Sequence, residues 1–314
     1  MDLPGPSVET LLVAGDLVLV PTQEPDPSAQ RAALHALGLA DGTPRWQRSF
    51  EYVILSGLIT PPTPSLILLS LTSTDLLRGE GALVALDAAG EERWRWAPGV
   101  QRVSAPASVR RLVRRYDFSR SEEEATETTA TNAVCFTADA HTLVVIDPGT
   151  GEERARIPLE ESASLSAPAV VDDVVYVPCR GPHLLAVDLE DGARWHFVAK
   201  DDSDAWLDKT PVVVGERIFT VLTTGAVLAL RAEDGSLAWR ADVGPAGKPL
   251  GAPATDGERL FVGARDGLHV LDLADGRQAW AVPTERRITA SPVVAGGVVY
   301  ATCHDHRLYA LGGP

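Results

Sequence analysis

The sequence is poor in lysine, asparagine and cysteine, and each shortage excludes something. Only Lys200, Lys209 and Lys248 are lysines, set against 43 acidic residues, and the formal net charge is −15. A phosphate backbone is gripped by a basic stripe, so no nucleic-acid partner is expected. Cys135, Cys179 and Cys303 make an odd set without CxxC spacing. No disulfide framework is expected from them, which fits a reducing, cytoplasmic setting. The opening MDLPGPSVET lacks a basic n-region, an apolar h-region and a lipidation cysteine, so neither a signal peptide nor a lipoprotein anchor is expected. One uncharged run, Tyr52 to Thr74, is long enough to cross a bilayer. Pro61, Pro62 and Pro64 interrupt it, so it reads as two buried strands around a proline-rich turn, and no membrane partner is expected.

What is present is a repeat. "SAPAVVDDVVYVPCRGPHLLAVD" (166–188), "GAPATDGERLFVGARDGLHVLD" (251–272) and "TASPVVAGGVVYATCHDHRLYAL" (289–311) carry nearly the same pattern. Each unit ends on a turn: LADGTPRW (39–46), DAAGEERW (87–94), DPGTGEER (147–154), LEDGARW (189–195), AEDGSLAW (232–239) and LADGRQAW (273–280). Asp-Gly or Gly-Xaa between alternating apolar residues is a strong hairpin signal, because the tight turn requires a residue that tolerates positive φ. Two further strands precede each turn strand, as in "PVVVGERIFTVL" (211–222). The unit is thus a four-stranded antiparallel meander of about 40 residues, the blade of a propeller.

One such sheet cannot bury both faces, whereas stacked blades can. Trp46, Trp94, Trp195, Trp239 and Trp280 fall just after the turns and read as blade-to-blade packing residues; Ala155 takes that place in the third unit. Six units are complete, and a seventh, from Ile288, stops after its third strand at Leu311. The expected fold is therefore all-β, a single seven-bladed propeller over 1–314. Its last blade is either three-stranded or completed by residues 1–7, and eight blades in a longer natural chain is the alternative.

The pattern "SPVV…VVY…C…RLYAL…DG…W" resembles the pyrroloquinoline-quinone-type propeller repeat, over nearly the whole chain and most sharply from 165 to 311. The resemblance implies the fold and a ring with broad loop faces. It does not fix a function. The family's quinone-dependent dehydrogenases carry adjacent cysteines, a calcium held by carboxylate and amide groups, and export signals. This sequence has no adjacent cysteines and one asparagine, Asn132, so no cofactor is expected.

Blade-to-blade connections and second-to-third-strand loops share one face of a propeller, where most ligand sites lie. That face collects residues 179–183, 199–209, 285–287 and 303–306. Asp201, Asp202, Asp204 and Asp208 crowd Trp206, with Lys209 beside them. An exposed aromatic among acids suits a cationic ligand or an arginine-rich partner, and the plain alternative is a solvated acidic loop. EF-hand spacing is absent there. His304 and His306 form an HxH pair without a third ligand, so no metal is expected. His183 and Cys179 lie four apart without an orienting group, so no catalytic residue is assigned. Arg286 and Arg287 complete the candidates on this face.

The largest departure from the repeat is "RRLVRRYDFSRSEEEATETT" (110–129), between the first and second strands of the third unit. Arg110, Arg111, Arg114, Arg115 and Arg120 precede an acidic run there. The insertion reads as a charged hairpin or loop on the opposite face, a docking element or a tolerated excursion. The sequence thus points to a non-catalytic module for protein interaction, sensing or scaffolding. The alternative is an enzyme or small-ligand propeller using Trp206, Arg286, Arg287 and His304, with a quinone-dependent dehydrogenase ranked last.

Overall fold

The structure, a computed structural model, describes residues 12–23, 31–51, 53–61, 66–73, 80–109, 112–116, 125–129, 133–243, 251–305 and 307–312. The fold is all-β, the seven blades of a β-propeller. The first sheet pairs Leu12–Ala14, Leu17–Gln23, Arg31–Gly38 and Pro44–Glu51 in order, and the second pairs Val53–Ile59, Ile67–Ser73, Ala82–Leu86 and Glu92–Trp96. The third runs Ala107–Val109, Ala133–Ala138, Thr142–Ile146, Glu153–Pro158, and the fourth Ala169–Val171, Val174–Pro178, His183–Asp188, Gly192–Val198. The fifth holds Val212–Val214, Arg217–Val221, Ala226–Arg231 and Leu237–Asp242, and the sixth Ala254–Thr255, Arg259–Gly263, Gly267–Asp272 and Gln278–Pro283. The seventh has three strands among the described residues: Val293–Ala295, Val298–Thr302 and Leu308–Gly312. Residues 1–7, the expected closing segment, lie outside the described residues. The single helix among the described residues is a 3-10 turn, Lys200–Asp202, and no helix there is long and apolar enough to cross a membrane.

Two compact units divide the chain. One comprises Met1–Glu160, Val170–Val175 and Asp188–Glu190, the other Glu161–Ala169, Tyr176–Val187 and Asp191–Pro314. Within each unit, alternation along the strands explains the packing. In the second sheet, Leu69, Val84 and Leu86 join Leu19, Leu34 and Ala36 of the first sheet in one core cluster. Their neighbours Leu68, Leu83 and Ala85 face the other way, onto Val134, Phe136 and Val144 of the third sheet. In the other unit, Leu260, Val262 and Leu271 of the sixth sheet pack on Phe219, Val221 and Ala229 of the fifth. Phe261, Leu268 and Val270 pack on Val299 and Ala301 of the seventh. A sheet covered on both faces explains why the middle strands read as unbroken apolar runs, while fourth strands such as Pro44–Glu51 alternate exposed and half-buried. Burying each such Leu or Phe contributes about 1.5–3 kcal/mol.

The turn chemistry is that of the repeat. Gly42, Gly90, Gly151, Gly192, Gly235 and Gly276 all adopt positive φ, between +63° and +88°. The strands after five of these turns pair through a register shift, for example between Ala229 and Leu230, so the left-handed glycine sits at a bulge. Aspartates hold the bends: Asp87 Oδ1 accepts from the backbone N–H of Ala89 and of Glu91, each at 2.9 Å, and Asp234 Oδ1 accepts from Ser236 N–H at 2.9 Å.

The tryptophans lock sheet to sheet through those same turns. The indole N–H donates to the turn carbonyl of the following sheet: Trp46 to Ala88 at 2.8 Å, and Trp94 to Pro148, Trp195 to Ala232 and Trp239 to Leu273 at 3.0 Å each. The ring then lies against the turn glycine so closely that a Cβ on Gly90, Gly151, Gly235 or Gly276 would come within 2.7 Å of it. All five repeat tryptophans are partly buried. Trp96 is buried more deeply, at 7% exposure, edge-on to Phe136 with centroids 4.9 Å apart.

Between Ala107–Val109 and Ala133–Ala138 the chain leaves the third sheet and returns. Leu112–Tyr116 and Ala125–Thr129 form a separate antiparallel pair, in register from Leu112 with Thr129 to Tyr116 with Ala125. Val109 nonetheless pairs with Ala133, so the sheet continues across the excursion.

Candidate functional site

Residues 199–209 connect the fourth and fifth sheets and are tied down at both ends. Ala199 N–H donates to Pro182 O at 2.9 Å, and Leu207 N–H donates to Gly181 O at 2.8 Å, in the second-to-third-strand loop of the fourth sheet. Trp206 exchanges two bonds with Thr223: its N–H donates to Thr223 Oγ1 at 3.0 Å, and its carbonyl accepts from Thr223 N–H at 3.1 Å. Ala205 and Leu207 are fully buried, and alternation along extended chain turns Trp206 between them outward, 48% exposed.

The four acids around it divide into two kinds. Asp202 is spent on Arg240, whose guanidinium meets both carboxylate oxygens, the Nη2–Oδ1 contact at 3.3 Å. Arg240 also reaches Asp242 at 3.2 Å, and the Asp202 bond holds its charge firmly, raising its pKa. Asp208 is half-buried beside Lys209 Nζ at 3.6 Å, and its backbone carbonyl accepts from Ser166 Oγ at 2.5 Å. Asp201 and Asp204 are exposed. Trp206 is thus an exposed aromatic on an anchored segment that also carries two exposed carboxylates, a composition that suits a cation.

A second group lies at the connection into the seventh sheet. Arg286 and Arg287 are exposed, yet their backbone is anchored: Cys303 Sγ donates to Arg286 O at 3.1 Å, and His304 N–H donates to Arg287 O at 3.0 Å. His304 Nε2 lies 3.0 Å from Thr289 Oγ1. Asp305 accepts from the Tyr309 hydroxyl at 2.6 Å, which with further bonds holds its carboxyl below the usual range. Among the described residues, no hydrogen bond or ion pair joins this group to residues 199–209. His306 lies outside the described residues, as do Arg110, Arg111 and Arg120. Arg114 and Arg115 are on the first strand of the excursion, opposite Glu127 and Thr126.

The side chains of His183 and Cys179 turn to different partners. The Cys179 thiol is buried, donates to Val177 O at 3.4 Å, and is pushed up to about 12 by burial and then by the charge of Glu161. That is the opposite of an activated nucleophile. His183 Nδ1 instead lies 2.8 Å from His196 Nε2, with Glu161 Oε1 at 3.9 Å from the first ring and 4.0 Å from the second. Glu161, His196, Arg240 and Thr223 carry no sequence signal that groups them with the candidates. His196 is 13 residues from His183, and adjacent strands bring the two together.

The family model described as outer membrane protein assembly factor BamB matches residues 79–249 and 223–313. Among curated proteins, the quinohemoprotein alcohol dehydrogenase ADH-IIG of Pseudomonas putida is 31% identical over 124 residues, covering 34% of this chain and 17% of that protein. BamB of Vibrio cholerae is 31% identical over 135 residues, covering 38% of this chain and 34% of that protein. BamB of Burkholderia pseudomallei is 31% identical over 104 residues, 32% and 26% of the two chains. The matches thus span about a third or less of these relatives' length. Among solved structures, BamB of Moraxella catarrhalis aligns with a TM-score of 0.62 at 18% identity, covering 95% of this chain and 80% of that one. Saccharomyces cerevisiae Sqt1 aligns at 0.67 and 13% identity, covering 95% and 82%. At such identities the two structures speak for the fold alone.

Proposed function

The chain belongs to the family whose model is described as BamB, built on the pyrroloquinoline-quinone-type propeller repeat, and on that premise we propose that it is a non-catalytic propeller module that binds a protein partner. The surface that receives the partner is centred on Trp206, and the partner offers an arginine-rich or amine-bearing segment. The observation that carries this reading is an aromatic side chain 48% exposed on backbone held by four hydrogen bonds, in a segment that also carries exposed Asp201 and Asp204. Rigid, exposed tryptophan is the residue type most enriched among interface hot spots, and its face attracts cations. Two curated relatives carry the name of an outer membrane protein assembly factor, which supports a role in bringing proteins together. The three unpaired, buried cysteines support a reducing compartment, and the net charge of −15 argues against a nucleic-acid partner.

The test is to identify the captured partner by mass spectrometry and titrate it against Trp206→Ala and Asp204→Asn. Trp206→Ala weakens binding at least tenfold and Asp204→Asn a few-fold. An affinity within twofold of the parent for Trp206→Ala ends this assignment, and replacing residues 110–131 with a short turn then tests the excursion as the docking element instead.

A further inference from the structure

We propose that Glu161, His183 and His196 form a binding site for a first-row divalent transition metal, zinc foremost. This site is separate from the Trp206 surface, and its fate does not depend on that reading. Three loop constraints build it. The segment after Glu161 is bonded to the loop of the fourth sheet, Arg180 N–H to Ser162 O at 2.7 Å and Ser164 N–H to Pro178 O at 2.8 Å, which places Glu161 beside that loop. Cys179 N–H donates to His183 O at 3.0 Å, closing the loop and setting His183 at the start of the third strand. Gly181 adopts φ +80° against the His183 ring, where a Cβ would sit 3.1 Å from Cδ2. His196 stands on the adjacent fourth strand, its ring stacked on that of His183 with centroids 5.1 Å apart.

Two imidazoles and a carboxylate are one of the donor sets that hold zinc with a fourth position left to water. Nδ1 of His183, Nε2 of His196 and Oε1 of Glu161 all lie within 4.8 Å of one another. Around a tetrahedral ion with bonds of about 2.0–2.1 Å, donor atoms are about 3.3 Å apart. The 2.8 Å contact between the rings therefore opens by about half an ångström, and the carboxylate closes by slightly more, both within reach of side-chain rotation. The hydrogen bond between the rings is replaced by two metal bonds. Cys179 is buried with its thiol on Val177 O and supplies no ligand, so the fourth ligand of the proposed ion is water, which the partly exposed side chains of Glu161, His183 and His196 admit.

The experiment uses the full chain without a histidine tag, stripped with chelator. Zinc titration by calorimetry shows one equivalent bound at micromolar Kd or tighter, and cobalt gives the visible absorbance of a tetrahedral site. His183→Ala and His196→Ala each weaken zinc at least a hundredfold and abolish the cobalt band, and Glu161→Gln weakens zinc about tenfold, while His304→Ala binds as the parent does. In the unmodified protein, zinc protects His183 and His196, and not His304, from acylation by diethylpyrocarbonate as mapped by mass spectrometry; this arm stands whether or not the variants fold. Absence of stoichiometric zinc binding overturns the proposal, as does binding that survives in the His183→Ala/His196→Ala double variant or equal labelling of both histidines with and without zinc.

Discussion

Four turn glycines are each required twice over. Gly276 must adopt φ +75°, which costs little only for glycine, and its missing Cβ leaves room for the Trp239 ring, which would otherwise lie 2.5 Å away. Gly276→Ala is therefore expected to cost about 2–3 kcal/mol in denaturant unfolding, more than a positive-φ strain alone. Trp239→Phe keeps most of the ring and loses the bond to Leu273 O, for about 1 kcal/mol. A Gly276→Ala variant as stable as the parent would show that the indole does not dock on that turn. The turn aspartates have a pH signature. Asp41, Asp87 and Asp234 are held below the ordinary carboxylate pKa, chiefly by Thr43 N–H, Glu91 N–H and the Ser236 side chain respectively. A depressed folded-state pKa contributes stability that is fully present above the unfolded value, about 3.9, and is lost as pH falls through the folded one. Thermal midpoints are thus expected to be level above about pH 5 and to fall below about pH 4. The Asp87→Asn variant should show a shallower acid decline than the parent.

The excursion within the third sheet has a different standing from the sheet that carries it. Val109 pairs directly with Ala133 and Cys135 with Ala107, so that ladder does not need the pair Leu112–Tyr116 and Ala125–Thr129 to close. Replacing residues 110–131 with a short turn is expected to leave circular dichroism and the thermal midpoint essentially unchanged, since lengthening or shortening a surface loop changes closure entropy only slowly. Loss of cooperative unfolding in that deletion would mean that the excursion packs on the sheet. The connection at 199–209 behaves in the opposite way. Its backbone bonds to Gly181, Pro182 and Thr223, with Ala205 and Leu207 buried, make it part of the framework. Its conformation is accordingly expected to survive Trp206→Ala.

Charge acts on the molecule as a whole. At −15 the chain repels polyanions and draws cationic partners from beyond contact distance, an attraction that salt screens. Association with the partner is expected to slow several-fold between about 50 and 500 mM salt, with smaller change in the dissociation rate, as surface plasmon resonance would read. Association rates that ignore salt would remove electrostatics from the recognition.

Period-two alternation, the spacing of turn glycines and the tryptophan that follows each turn were sufficient to establish the blade and its number, because those features act between residues near in sequence or repeat at fixed intervals. Trp206 was also legible, as a tryptophan set among aspartates away from the turn-following positions. The sequence could not show that Asp202 is consumed by Arg240, 38 residues away, or that His183 meets His196 and Glu161 and not Cys179. Those contacts depend on which loop is tied to which linker, a matter of strand pairing and backbone hydrogen bonds across sheets. Local pattern decides what a segment becomes; only the packed sheets decide which charged and imidazole groups share a few ångströms.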